Sequence, residues 1–264
     1  CLAGNENNRC GIPRCQAFRN GDPMRSIISL DHFTTSDVKP VELYQRYLEL
    51  TCQDVSEFFA QPSLAHSDCP ACGSNDLTNA FKKIGMQYVE CGQCRSLFVN
   101  PRPNDKAIFG YYAQSKAEKF WHKNLSRASF NFRQKKIIDS RIRWMADYAA
   151  ELKECLHGVD IHAHQDGWIE ALVKAGIFEE NTIVLPLVEV SSELASSLSI
   201  LNKSFIDISL DEPADVITAF EVVDRTADLN ALFESIARNL KKGGLCLITS
   251  ILASGFDIQV LWGK

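Results

Sequence analysis

The chain has 264 residues, enough for one large or two modest domains at the usual ~100–200 residues per domain. With 45% hydrophobic and 23% charged residues its composition is that of a globular protein, which excludes the disordered, collagen-like and coiled-coil classes. Twenty-eight Lys+Arg against 33 Asp+Glu leave a net charge of −5, so no general attraction draws it to nucleic acid or to an anionic membrane. No apolar run approaches the ~18–20 residues of a membrane helix and no signal-peptide core opens the chain, so a soluble, cytoplasmic protein is expected.

Residues 1–26 are rich in Asn, Gly, Arg and Pro without sustained periodicity, and are expected to be disordered or foreign to the fold. Cys1, Cys10 and Cys15 lie there, spaced too widely for a tight metal knuckle. The next stretch, 27–62, is an N-terminal helical segment. Within it Leu43, Tyr47, Leu48, Leu50, Val55, Phe58 and Phe59 recur at near-helical spacing, which predicts an amphipathic helix over 41–60 stopped by Pro62.

Residues 63–104 carry Cys69-Pro-Ala-Cys72-Gly73 and Cys91-Gly92-Gln93-Cys94, two CxxC pairs separated by eighteen residues. Ten Cys in the chain are too few for a disulfide scaffold, and tight pairs in a cytosolic setting point to metal. Four thiolates can close a tetrahedral zinc site, two sulfurs from each turn, and Gly73 and Gly92 stand where such turns take positive φ most cheaply. A module of about forty residues cannot bury enough core to fold alone, whereas structural zinc contributes an apparent ~10–16 kcal/mol. The alternatives are two redox CxxC motifs or four buried thiols. A redox motif is usually single and set in a βαβ unit, but these pairs flank a strand-like segment at 86–90. Pro101 and Pro103 close the module with a stiff boundary.

Residues 105–156 read as helical throughout, a connector in which Tyr111, Tyr112, Phe120, Trp121, Phe130, Phe132 and Trp144 interleave with Arg127, Arg133, Lys135, Lys136, Arg141 and Arg143. That mixture admits a nucleic-acid surface, which the net charge opposes. Aromatic residues at helical spacing are more often core, leaving the cations as a solvated face or as contacts for an anionic substrate.

After residue 156, short apolar runs alternate with helical patterns. Strands are predicted at about 157–161, 182–188, 204–208, 215–220 and 245–251, and helices near 167–175, 191–200 and 228–241. This is an α/β pattern: a parallel sheet over 157–264 with both faces covered, binding its ligand outside the carboxyl ends of the strands.

The two knuckles, the run from Tyr88 to Pro103, the aromatic helix opening Phe109-Gly110-Tyr111-Tyr112, and the stretch from Asp215 to Ser250 resemble the zinc-ribbon-bearing class I S-adenosylmethionine-dependent methyltransferases. The resemblance covers roughly residues 40–264. It implies a Rossmann-like class I methyltransferase sheet preceded by a small zinc ribbon and by helices that roof the cofactor cleft. It also implies S-adenosylmethionine as cofactor, structural Zn2+ on Cys69, Cys72, Cys91 and Cys94, and a small-molecule or saccharide methyl acceptor. In the family an aspartate opens strand four, an acidic residue lies near that strand's end, a Glu-His pair follows, and a Pro-Gly-Gly turn leads into strand five. Asp215, Glu221, Asp224-Arg225 and Lys242-Gly243-Gly244 fill those places here. The family's sheet has seven strands in the order 3-2-1-4-5-7-6. Five are legible in this chain, so its C-terminal strands are expected to be missing, and with Cys1 rather than Met at the start the chain is expected to be truncated.

The same resemblance supplies the cofactor-binding candidates Asp160, Gly167, Glu189, Asp207 and Phe220, and the catalytic candidates Glu221 and Asp224. After strand one the family carries an acidic residue followed by Gly-x-Gly-x-Gly; here Asp160 and Gly167 keep their places but His162 and His164 replace the first two glycines. Side chains there forfeit close backbone approach, and strained geometry at both positions costs ~1–3 kcal/mol each, roughly a hundredfold or more in affinity. Three outcomes stay open: a non-catalytic copy with a drifted loop, a repositioned working loop, or a His-x-His metal pair, for which no third ligand is near in sequence. Glu189 stands where an acidic residue holds the ribose hydroxyls, or is a solvated carboxylate at a helix entrance. Asp207 accepts from the adenine amino group or is a turn residue. Phe220 and Glu221, at the end of strand four, face the reacting methyl group. If the acceptor is a hydroxyl or amine, Glu221 or Asp224 serves as general base, a role Arg225 cannot take. The alternative is a catalytically inactive protein of the same fold acting as a binding or scaffold module.

Overall fold

The computed structural model describes residues 39–60, 63–150, 152, 157–161, 167–184 and 192–252. The expectations for residues 1–26, Pro62, His162, His164, Glu189 and residues 253–264 lie outside the described residues.

Helix α1 (Val41–Phe58) occupies the amphipathic stretch. Its apolar side meets the connector through aromatic pairs: Tyr47 lies edge-on to Trp121 with centroids 5.1 Å apart, and Phe58 and Phe59 both contact Tyr111. Asp54, fully buried on α1, accepts from the Ser115 hydroxyl at 2.6 Å and from the Ala117 N–H at 2.8 Å. A carboxylate from a distant helix thus satisfies an orphan donor in the first turn of another.

The cysteine module is a three-stranded antiparallel sheet, β2 (Leu77–Lys83), β3 (Met86–Cys91) and β4 (Leu97–Val99), closed at its base by β1 (Leu64–Ala65) pairing with β5 (Arg102–Pro103). Ile84 and Gly85 make the β2–β3 turn with φ of 50° and 75°, the double positive φ that a two-residue hairpin requires. Asn100 reinforces the base, donating to the Ser67 carbonyl at 3.0 Å and accepting from the Ser67 N–H at 3.2 Å.

The connector is helical as expected over its described part, but not uniformly. Helix α2 (Asp105–Gln114) stops at Ser115, which caps α3 (Lys116–Phe120). From there the helix continues through a π turn (Trp121–Leu125), α4 (Ser126–Arg133), a second π turn (Gln134–Ile138) and α5 (Asp139–Ala149).

The remaining elements are β6 (His157–Ile161), α6 (Trp168–Ala175), β7 (Glu180–Val184), a short α7 (Ser192–Ala195), β8 (Ser199–Leu201), β9 (Ala214–Phe220), α8 (Leu229–Asn239) and β10 (Leu240–Thr249). They form one parallel sheet in the order β8-β7-β6-β9-β10, that is, strands 3-2-1-4-5 of the five. Every residue of β9 is buried, as befits a strand covered on both faces. Ile217 and Ala219 pack with Leu232 and Ile236 of α8 on one face; Val216 and Phe220 pack with Ile138, Met145, Trp168 and Leu172 on the other.

Two predicted elements shift. The third strand lies at Ser199–Leu201, overlapping the end of the stretch expected to be helical at 191–200, and the residues expected as a strand at 204–208 form a 3-10 turn at Phe205–Asp207. Ile200 and Leu201 pair with Ile183 and Val184, whereas Phe205 and Ile208 are buried three residues apart, a spacing that suits a 3-10 turn and not an alternating strand. The Lys242-Gly243-Gly244 turn is a bulge inside β10, between Leu240 and Leu245. Gly243 there has φ of 85°, and a Cβ on Gly244 would stand 2.8 Å from the Asp215 carbonyl oxygen. Among the described residues no helix is long and apolar enough to cross a membrane.

Candidate functional site

The four paired cysteines converge: the Sγ atoms of Cys69, Cys72, Cys91 and Cys94 all lie within 4.8 Å of one another, with Cys69–Cys94 at 3.5 Å and Cys72–Cys91 at 3.6 Å. A tetrahedral ion with Zn–S bonds of about 2.3 Å needs sulfurs about 3.8 Å apart, so the donor set fits zinc in number, chemistry and spacing. The knuckles are near-copies. In each the first cysteine's N–H donates to the carbonyl five residues on (Cys69 to Ser74, Cys91 to Ser96), and its carbonyl accepts from the N–H four residues on (Gly73, Arg95). The residue after each second cysteine takes positive φ, Gly73 at 71° and Arg95 at 64°. Gly92, expected to serve that purpose, does not; it is glycine because the Asp76 carboxylate fills the space a Cβ would need. Cys94 Sγ lies 3.2 Å from Ser96 Oγ, and bonding to that hydroxyl and to the Ser96 backbone lowers the Cys94 thiol to about 6, whereas Cys69 and Cys72 are raised.

The second constellation gathers at the carboxyl ends of the first and fourth strands. Asp160, 2% exposed, accepts from Trp168 Nε1 at 3.0 Å and from Thr218 Oγ1 at 2.5 Å, tying β6 to its register partner on β9 and to the start of α6. Gly167 precedes α6 with φ of 79°, the left-handed geometry that favours glycine. A Cβ at Gly167 would stand 3.1 Å from Phe130 Cε2, 3.4 Å from Gln134 Oε1 and 3.5 Å from Ile138 Cδ1, so the connector crosses directly over this turn.

Phe220 ends β9 in an aromatic nest. Trp168 meets it edge-on at 5.1 Å, Trp144 stacks at 6.3 Å, and the Arg141 guanidinium carbon lies 4.8 Å from its ring centroid. Glu221 follows with φ of 60°, a conformation that costs a residue with a Cβ ~1–3 kcal/mol and recurs at functional sites. Its N–H is held by the Thr249 carbonyl and hydroxyl at 3.3 and 3.0 Å, and its carboxylate accepts from Arg141 Nη2 at 2.8 Å. Asp224 instead accepts from the Ser250 hydroxyl at 2.7 Å and from the Ile251 N–H at 3.1 Å, fastening the residues after β10. Asp207 is exposed in its 3-10 turn, six residues beyond the end of the third strand.

The structure thus brings together Asp160, Gly167, Phe220 and Glu221, sets Asp224 against the segment after β10, and leaves Asp207 in the turn after β8. It adds Arg141, Trp144, Trp168 and Thr218. The Asp160–Thr218 pairing was implicit in two adjacent strands. Nothing in the local sequence marks Arg141, eighty residues before Glu221, as different from the neighbouring arginines.

A family model described as a methyltransferase domain matches residues 113–263. The chain belongs to that methyltransferase-domain family. The match begins within the connector, at residue 113. Solved structures similar to the chain include CalS10, an amino pentose methyltransferase from Micromonospora echinaspora involved in calicheamicin biosynthesis: 14% identical, 49% of this chain and 57% of that chain covered, TM-score 0.42. The sugar N-methyltransferase KedS8 from Streptoalloteichus sp is 17% identical over 48% of this chain and 54% of that chain, TM-score 0.37. The N-methyltransferase NodS from Bradyrhizobium japonicum is 15% identical over 47% and 72%, TM-score 0.35. The chain spans little more than half the length of the first two. No curated protein matches it.

Proposed function

We propose that this methyltransferase domain transfers a methyl group from S-adenosylmethionine to a small-molecule or saccharide acceptor, with zinc as a structural ion in the ribbon. The observation that carries the proposal is the meeting, at one end of a 3-2-1-4-5 parallel sheet, of a left-handed Gly167 turn after strand one and a strained Glu221 after strand four. Ligands of open α/β sheets bind at that end. S-adenosylmethionine, when bound, supplies an electrophilic methyl group on a sulfonium. The chain's own residues orient and exclude water: Phe220, with Trp144 and Trp168 about it, walls the site, and the Gly167 turn sets the start of α6. Alignment carries most of the rate in such a transfer. Glu221 is the carboxylate placed to receive the acceptor's proton, with Arg141 fixing its direction; Asp224 is committed to the backbone and holds the loop in place. Cys69, Cys72, Cys91 and Cys94 would fill the zinc shell and leave no open position for catalysis. Thiol ligands in place of disulfides suit a reducing cytoplasm.

The engagement of Glu221 by Arg141 and of Asp224 by Ser250 and Ile251 favours the second reading, a non-catalytic member that binds or scaffolds. Calorimetry of the zinc-loaded chain with S-adenosylhomocysteine separates the two. One-to-one binding is expected; no heat at millimolar ligand would overturn the enzyme.

A further inference from the structure

We propose that the connector carries its own binding groove for a diphosphate-bearing small molecule, set beside the methyl-transfer site. The groove has a volume of about 390 Å³ and is lined by Tyr112, Glu118, Lys119, His122, Lys123 and Arg127. Lys119, Lys123 and Arg127 follow one another at intervals of four along one continuous helix, so they stand side by side on a single face. Like charges at that spacing weaken a helix, and here they are concentrated in a concavity of a chain whose net charge is −5. An anion resolves the repulsion.

Three arginines further along the same helix are engaged by the protein: Arg133 lies over the Trp121 ring, Arg141 binds Glu221, and Arg143 reaches Ser140. Among the described residues Lys119 Nζ reaches only the Gln114 carbonyl in the groove, at 3.4 Å, and Lys123 and Arg127 form no ion pair. Glu118, the one acid of the lining, is half-buried and accepts from the Tyr111 hydroxyl at 3.5 Å. The π turn at Trp121–Leu125 adds a residue to the helical turn that presents His122 and Lys123, and such turns recur at functional sites.

The chemistry selects the ligand. Lys119 to Arg127 covers about 12 Å of helix axis at ~1.5 Å per residue, a length that suits two linked phosphoryl groups better than one. An arginine fork and two ammonium groups are the usual donors to such oxygens. The Tyr112 ring, 38% exposed and edge-on to Tyr111 at 5.5 Å, adds an aromatic wall to the groove. One and two turns beyond Arg127, Phe130 and Gln134 cover the Gly167 turn, so a ligand anchored in the groove extends toward the strand-one end. That it is the methyl acceptor rests on the methyltransferase reading; the groove's affinity for diphosphate does not.

The test is calorimetry of the full, zinc-loaded chain at low salt with inorganic pyrophosphate and with ADP, repeated on the double variant Lys123→Gln, Arg127→Gln. Both positions are exposed, and circular dichroism checks that the variant is folded. Saturable binding of both probes is expected, weakened about tenfold or more in the variant, with S-adenosylhomocysteine affinity unchanged. Pyrophosphate binding in a chain that ignores S-adenosylhomocysteine leaves the groove standing and removes the methyltransferase reading. The groove is overturned by absence of saturable binding, by equal binding to the variant, or by a parallel loss of S-adenosylhomocysteine affinity, which would make these residues part of the cofactor site. Displacement of pyrophosphate by a single-stranded oligonucleotide that binds more tightly and with a steep salt dependence would also overturn it, in favour of a nucleic-acid surface.

Discussion

Chelating zinc from the protein is expected to unfold residues 63–104 while leaving the parallel sheet folded. The ribbon strands bury almost nothing: no residue of β2 or β4 is buried, and β3 contributes only Val89 and Cys91. A three-stranded sheet without a core does not offset the conformational entropy of its own chain; on the zinc reading proposed above, four thiolates and an ion supply the difference, an apparent ~10–16 kcal/mol in comparable small domains. The parallel sheet has two apolar layers of its own and owes nothing to the cluster. Hydrogen exchange before and after chelation checks this: the amides of Leu77–Val99 should lose protection and those of β6 and β9 should keep it. Cys91→Ser should reproduce the effect without chelator. Concerted loss of protection in both regions would contradict the boundary between ribbon and sheet, and retention of protection in the ribbon would exclude structural zinc.

Asp160→Ala is expected to destabilise the sheet domain by about 3–5 kcal/mol, because it leaves the donors of Trp168 and Thr218 without their acceptor in a layer that water does not reach. Trp168 and Thr218 are each 2% exposed, and the indole N–H has no other acceptor at hydrogen-bonding distance among the described residues. Asp160→Asn keeps the accepting oxygen and should lose much less. Urea unfolding, followed by tryptophan fluorescence, measures both variants. Equal losses in the two would show that charge, not acceptor geometry, makes Asp160 necessary, and a negligible loss in the alanine variant would show that the indole and hydroxyl find water.

Patterning within one element was legible from sequence; pairing between distant elements was not. Strand β9 announces itself as a short, mostly apolar run broken only by Asp215 and Thr218, and the sheet's alternation with helices sets the parallel topology. The convergence of the four cysteines is legible because two CxxC turns encode it in spacing alone. The third strand was misplaced by several residues because two short apolar segments compete, and only pairing with Ile183 and Val184 selects Ile200 and Leu201. The reason for Gly92 is not legible, since close approach of Asp76, just ahead of β2, leaves no mark in a single chain of letters. Arg141 stood among several similar arginines, and its pairing with Glu221 depends on how the whole connector crosses the sheet. At the candidate site, the resemblance points to Gly167 and Glu221, while the groove cations Lys119 and Lys123 are marked only by their four-residue spacing.

Hydrogen exchange with and without S-adenosylhomocysteine tests the central claim most directly, because it locates the cofactor as well as detecting it. Binding at the carboxyl ends of strands one and four predicts added protection at the amides of Gly167–Ile169 and Phe220–Glu221, with no change in the ribbon at Leu77–Val99. Protection confined to other residues, or none at saturating ligand, would contradict the assignment of this end of the sheet as a methyl-transfer site.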